Sequence, residues 1–163
     1  MKVTIDVLDP KSIDKAIQQL NDYADGLDVK SKTLCERLAS MGATNVSFGF
    51  SRLFYTGPVD IEVSVQELGG ERYAILASGE TVLIAEFGAG VTYGDGHPLN
   101  TEFGMGPGTY PGQKHAMDPK GWYLPKAKGG GHTYGNPPTM AMYNTGKDLR
   151  REILRVAQEV FKT

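Results

Sequence analysis

Apolar and polar residues alternate over residues 2–7, with Val3, Ile5 and Val7 on one side and Lys2, Thr4 and Asp6 on the other. A period of two predicts a half-buried strand. Asp9-Pro10 ends it: aspartate can cap a following helix, and proline suits a first helical position that needs no amide donor. Beyond it Ile13, Ile17, Leu20, Ala24, Leu27, Leu34, Leu38 and Met41 recur at alternating steps of four and three, with Ser31 filling one slot. The stripe runs through Gly26, where glycine costs about 1 kcal/mol inside a helix. One helix ending at Gly42, about 48 Å long at 1.5 Å per residue, is preferred to two helices hinged at Gly26-Leu27-Asp28. The 3.5-residue period would suit a coiled-coil seam, but strands follow at once, which favours a helix lying across a sheet.

Val46, Phe48 and Phe50 alternate, as do Ile61, Val63 and Val65, and Gly69-Gly70 offers the positive φ angles of a tight hairpin into Arg72–Ala77. Thr81–Phe87 is apolar enough for a central strand. Pro137-Pro138 enforces an extended entry into a last helix marked by Met142, Leu149, Ile153, Val156 and Val160 and weakened in its first turns by Gly146. This order predicts an α+β fold: an antiparallel sheet with a long N-terminal helix and a C-terminal helix packed on it, in a single domain over 1–163. No internal repeat is visible.

Between Gly88 and Gly135 lies a segment with more than half of the chain's 21 glycines, its 3 histidines and its 1 tryptophan. Glycine raises the entropy lost on ordering, whereas Tyr93, Phe103, Tyr110, Trp122, Tyr123 and Tyr134 need something to pack against. The expectation is an arm that becomes ordered on a partner. With 17 basic and 19 acidic residues interspersed, no basic block exists for nucleic-acid phosphates. The N-terminus lacks the apolar run of a signal peptide or membrane span, so the expectation is a protein made and kept in the cytoplasm, or exported only inside something larger. Cys35 stands alone, so no intramolecular disulfide can form, and its place in a helical pattern reads as a buried or half-buried thiol rather than a nucleophile.

Gly88-Ala89-Gly90 follows an expected strand as a dinucleotide fingerprint would, but the next glycine is Gly94, and Gly96 and Pro98 stand where the phosphate-holding helix should begin. Gly146-Lys147 lacks the preceding glycine and following hydroxyl of a phosphate loop. Asp95, His97, His115, Asp118 and His132 have ligand chemistry without ligand spacing, so no metal and no cofactor is expected. The histidines with Glu86 or Glu102 offer a general acid and base, though no nucleophile stands on a recognisable turn. Trp122-Tyr123 and Tyr110-Pro111 could stack on sugars or bases; packing in the arm or against a neighbouring subunit is the simpler use.

Two stretches flank the arm: Ala85-Glu86-Phe87-Gly88-Ala89-Gly90, and Tyr134-Gly135-Asn136-Pro137-Pro138-Thr139-Met140-Ala141-Met142. Together they resemble the siphophage head-tail joining and tail-completion (neck, minor tail) protein family, as does Glu102–Gly112 with long-insertion members. Thr139 stands where that family commonly has an aromatic residue. The resemblance implies a non-enzymatic virion protein, present in the host cytoplasm during assembly, that forms a homo-oligomeric ring with six copies as the expected number. Its partners would be a head connector or head-closure protein and a tail tube or tail terminator protein, with no membrane and no specific nucleic acid. Glu86, Phe87, Gly88 and Gly90 would launch the arm, Pro138 and Met140 would fix the last helix against the sheet, and Phe103, Tyr110, Trp122 and Tyr123 would make assembly contacts. The alternative is a small metal-dependent hydrolase with the arm as a lid.

Overall fold

The computed structural model describes residues 3–6, 8–55, 57–93, 96–105, 114–115 and 117–162. Its architecture is α+β: a long N-terminal helix, a C-terminal helix and small antiparallel sheets. Helix α1 spans Pro10–Phe50, 41 residues and about 60 Å. Asp9 caps it, accepting from Lys11 N at 3.0 Å. Residues 3–6 are not a strand. Instead Asp6 N donates to Ser12 Oγ at 2.7 Å and Leu8 N to Asp6 Oδ1 at 3.0 Å, a turn that leads the chain into the helix.

Helix α1 passes through Gly26 as one helix and does not stop at Gly42. Val46, Phe48 and Phe50, expected as a strand, form its last turns. Val46 and Phe50, four apart, are buried while Phe48 is exposed, so the helical period wins over the alternation. Gly42 and Gly49 are contact notches. A Cβ on Gly42 would collide with Ile75 Cδ1, and one on Gly49 would stand 2.6 Å from Ala141 Cβ.

Strands β1 (Glu62–Gly69) and β2 (Arg72–Ser78) form the expected antiparallel hairpin, registered from Glu62↔Ser78 to Glu67↔Tyr73 and closed by Gly70 and Glu71, both with positive φ. A lone hairpin is marginal in water; this one lies on α1, anchored by Tyr73 OH to Glu36 Oε1 at 3.1 Å and Lys32 Nζ to Glu67 Oε1 at 3.4 Å.

Val82–Phe87, expected within a central strand, is a short helix, α2. A six-residue apolar run has no decisive period, and its start is fixed by Asp60, whose carboxylate accepts from Glu80 N (2.6 Å), Thr81 N (3.0 Å) and Thr81 Oγ1 (2.5 Å). The Thr81 hydroxyl first, then the two amides, hold the Asp60 carboxyl down at about 2. Trp122–Tyr123 (β3) and His132–Thr133 (β4) pair antiparallel across a 3-10 turn at Lys126–Lys128. Helix α3, Ala141–Lys162, runs back along α1, from the Gly49–Ala141 contact to Arg37 beside Glu159 at 3.9 Å. It packs chiefly on α1 rather than on the sheet. Val46, Phe50, Ala85 and Ala141 form the core, with Leu53, Ile61, Val63, Ile75, Ala77, Val82 and Met142 around it.

Candidate functional site

The residues flanking the Gly-rich arm meet at the junction of α2 and α3. A helix start carries amide donors with no intrahelical partner, and here Glu86, near the end of α2, supplies the acceptor. Its Oε2 accepts from Met142 N at 2.9 Å and its Oε1 from Tyr143 N at 3.0 Å. His97 Nε2 lies 3.2 Å from the same Oε1, with both side chains almost wholly buried. Leu99 N donates to His97 Nδ1 at 3.1 Å, so Nδ1 is an acceptor and the Nε2 proton faces Glu86. Two backbone bonds complete the tie, Thr139 N to Ala85 O at 2.7 Å and Met140 N to Glu86 O at 3.3 Å.

Around this pair the rings close in. The Phe87 ring lies tilted against His97, with centroids 4.3 Å apart, and meets Phe103 edge-on at 6.0 Å, while the Tyr143 ring lies 5.4 Å from that of His97. Phe87, His97, Tyr143 and Arg150 are among the residues lining a cavity of about 570 Å³. The arm's two ends are joined by a bridge, Ala89 N to Asn136 O at 2.9 Å and Asn136 N to Ala89 O at 3.0 Å. Asn136 Nδ2 also donates to Ile84 O at 3.0 Å. Gly90 and Gly135, both at positive φ, permit this crossing: a Cβ on Gly135 would strike Ala89 O and one on Gly90 would strike Tyr134 O.

A second cavity, about 380 Å³, lies beside the bridge, with Phe54, Tyr55, Tyr93, Trp122, His132 and Tyr134 among its lining. Lys128 Nζ reaches Glu80 Oε2 at 3.0 Å near its rim.

The expected site residues thus divide. Glu86, Phe87, Gly88 and Gly90 are buried, and Glu86 and Phe87 join His97 and Phe103 in one cluster. Gly90 adjoins Trp122, half-buried in the aromatic cavity. Tyr123 is 78 % exposed, with its ring against His132. Pro138 packs over Gly88 and Gly96; Met140 is half-buried at φ +53°, a left-handed angle for a residue with a side chain, and accepts the Asn144 amide at 2.8 Å. Tyr110 lies outside the described residues, as does Asp95. Asn136 and Tyr143 take parts that spacing did not reveal; a polar Asn between Gly135 and Pro137 was the available sign of a backbone tie.

Both nitrogens of His97 and both oxygens of Glu86 are engaged within the chain. That geometry fixes one helix start to another helix's end rather than presenting a base to a substrate. Among the described residues no group of three His, Cys, Asp or Glu side chains is placed to hold a metal ion, and no helix is long and apolar enough to cross a membrane. No protein-family model, curated protein or solved structure matches the chain. Its own residues carry the functional reading.

Proposed function

We propose that the chain is a non-enzymatic structural protein of a phage head-tail junction, assembling into a ring that joins the head connector to the tail. The observation that supports it is where apolar surface stays uncovered. Ile13, Ile17, Leu20 and Tyr23 on α1, Leu154 on α3 and Tyr123 on the arm are each at least 44 % exposed, while the titratable pair Glu86–His97 is enclosed. Clustered exposed apolar side chains mark surfaces made for other proteins. A ring subunit needs at least two such surfaces, one for each neighbour, besides those for a head-closure protein on one side and a tail terminator on the other. The resemblance read from Glu86–Gly90 and Tyr134–Met142 in the sequence favours the same role.

The test is genetic. Deleting the coding segment from the phage genome that carries it should give lysates whose micrographs show filled heads and tails that fail to join, with joining restored by the chain supplied in trans. Joined particles in its absence overturn the reading, and stoichiometric zinc whose removal unfolds the purified chain would favour the hydrolase instead.

A further inference from the structure

Two faces of this molecule with exposed apolar side chains carry opposed charge, one of them on the end of α1 where Ala16, to one side of the stripe, is buried. The first is the end of α1 that runs past its contacts with the hairpin at Lys32 and Glu36 and with α3 at Arg37. Residues 10–28 of that end span about 28 Å. Ile13, Ile17, Leu20, Ala24 and Leu27 share one stripe there, the first three 44, 52 and 54 % exposed. Asp14, Asp25 and Asp28 fall within about 80° of Ile17 at about 100° per residue, whereas Lys11 and Lys15 lie at the back. Between Lys15 and Lys30 the helix carries three aspartates and no base.

The second face is the outward side of α3, a helix of 22 residues and about 33 Å. Leu154 is 73 % exposed and Phe161 40 %. At about 100° per residue, Lys147, Arg150, Arg151 and Lys162 all lie within about 80° of Leu154, while Asp148, Glu152 and Glu159 lie beyond about 120°. Arg151 meets Asp148 at 3.5 Å across an exposed pair, a contact worth little in water.

We infer that the projecting end of α1 of one copy docks on the outward face of α3 of the next, its apolar stripe on Leu154 and Phe161 and its aspartates against Lys147, Arg150, Arg151 and Lys162. The inference rests on the ring reading and says how the ring closes. Because the two faces differ, the contact is heterologous: each copy offers one face of each kind, and a head-to-tail series closes into a ring when its rotation allows. Opposed charge sets the register and excludes pairing of two acidic ends.

Two variants decide it, both at exposed positions and checked for unchanged helicity. Ile17→Asp with Leu20→Asp removes the first face and Leu154→Asp removes the second. In sedimentation of the full chain over a concentration series, each variant alone should associate at least about tenfold more weakly than the wild type, about 1.4 kcal/mol. Mixed, they should form dimers that grow no further, since the mixture holds one intact face of each kind. Reversal by Arg150→Glu with Arg151→Glu should weaken assembly, and adding Asp25→Arg with Asp28→Arg should restore part of it. If the α3 variant assembles as the wild type while the α1 variant does not, the α1 ends pair with one another and the inference fails. If both assemble normally, the ring uses another surface. A wild-type chain that stays monomeric throughout overturns the docking, leaving the junction role to the lysate micrographs, which require no purified ring.

Discussion

The two ends of α1 carry the same apolar period and opposite fates. At the C-terminal end Ala39, Gly42, Val46 and Phe50 are buried against β2, α2 and α3, with Val46 only 1 % exposed. At the N-terminal end Ile13, Ile17 and Leu20 repeat the pattern with about half of each side chain in water. Periodicity states which face of a helix is apolar; it does not state what covers the face. What distinguishes the ends is the small residue. Gly42 and Gly49 let Ile75, Leu149 and Ala141 close on the helix, and no comparable contact stands against Gly26.

The comparison breaks first at the tie holding the buried end together. Glu86→Ala should destabilise by about 3 to 5 kcal/mol, because it leaves the Met142 and Tyr143 amides and the His97 Nε2 proton without an acceptor in a buried place. Chemical denaturation measures this; a loss under about 1 kcal/mol would mean that the α2–α3 tie does not hold the fold. Phe50→Ala should cost about 3 to 5 kcal/mol. Phe48→Ala, two residues away and 60 % exposed, should cost under about 1 kcal/mol, the worth of its contact with Arg52 at an exposed site. Equal losses at the two positions would restore the alternating strand.

One substitution made at two glycines of α1 sharpens the contrast further, because the sign should change. Gly49→Ala places a methyl group 2.6 Å from Ala141 Cβ and 2.9 Å from its Cα, and overpacking of this kind costs about 1 to 3 kcal/mol. Gly26→Ala meets nothing within 4 Å and should stabilise by up to about 1 kcal/mol through helix propensity. Thermal melts of both variants, read against the wild type, give the comparison directly; a stabilising Gly49→Ala would remove the close approach of α3 to α1.

Much of this was legible in the residues, for reasons that can be named. The stripe from Ile13 to Met41 and the hairpin expected at Gly69-Gly70 rest on long or redundant patterns; both stand, with the turn itself one residue further on, at Gly70-Glu71. Val46–Phe50 reads as a strand but folds as helix, because an alternation of three residues is also two positions one helical turn apart plus an exposed one. Gly42 looks like a helix end in the sequence, yet its use is a tertiary contact with Ile75 and Leu149, which no local pattern records. Thr81–Phe87 reads as a strand but turns helical from Val82, because its start depends on Asp60, about 20 residues earlier in the chain. At the site, the sequence marks Glu86 to Gly90 as the doorway to the arm and offers His97 as an acid-base partner of Glu86. That the carboxylate also caps α3 needed the fold, since Met142 and Tyr143 are more than 50 residues away.

The smallest effect concerns acid. Asp60 stands at the start of α2, where it accepts from the Thr81 hydroxyl and the Glu80 and Thr81 amides. Those bonds favour the charged carboxylate, so its folded pKa lies at about 2 against an ordinary 3.8. The sign follows from linkage: a carboxylate depressed on folding binds fewer protons in the folded state, so its contribution is fully present above about 4 and is lost as pH falls from there to about 2. The carboxylate is exposed, which keeps the effect modest through solvent screening. Unfolding midpoints in urea across that window should fall with acid in the wild type, and Asp60→Asn should flatten part of that slope while lowering stability at neutral pH through the lost charged acceptor. Parallel wild-type and variant profiles between pH 4 and pH 2 would mean that Asp60 does not hold the start of α2 as a charged cap.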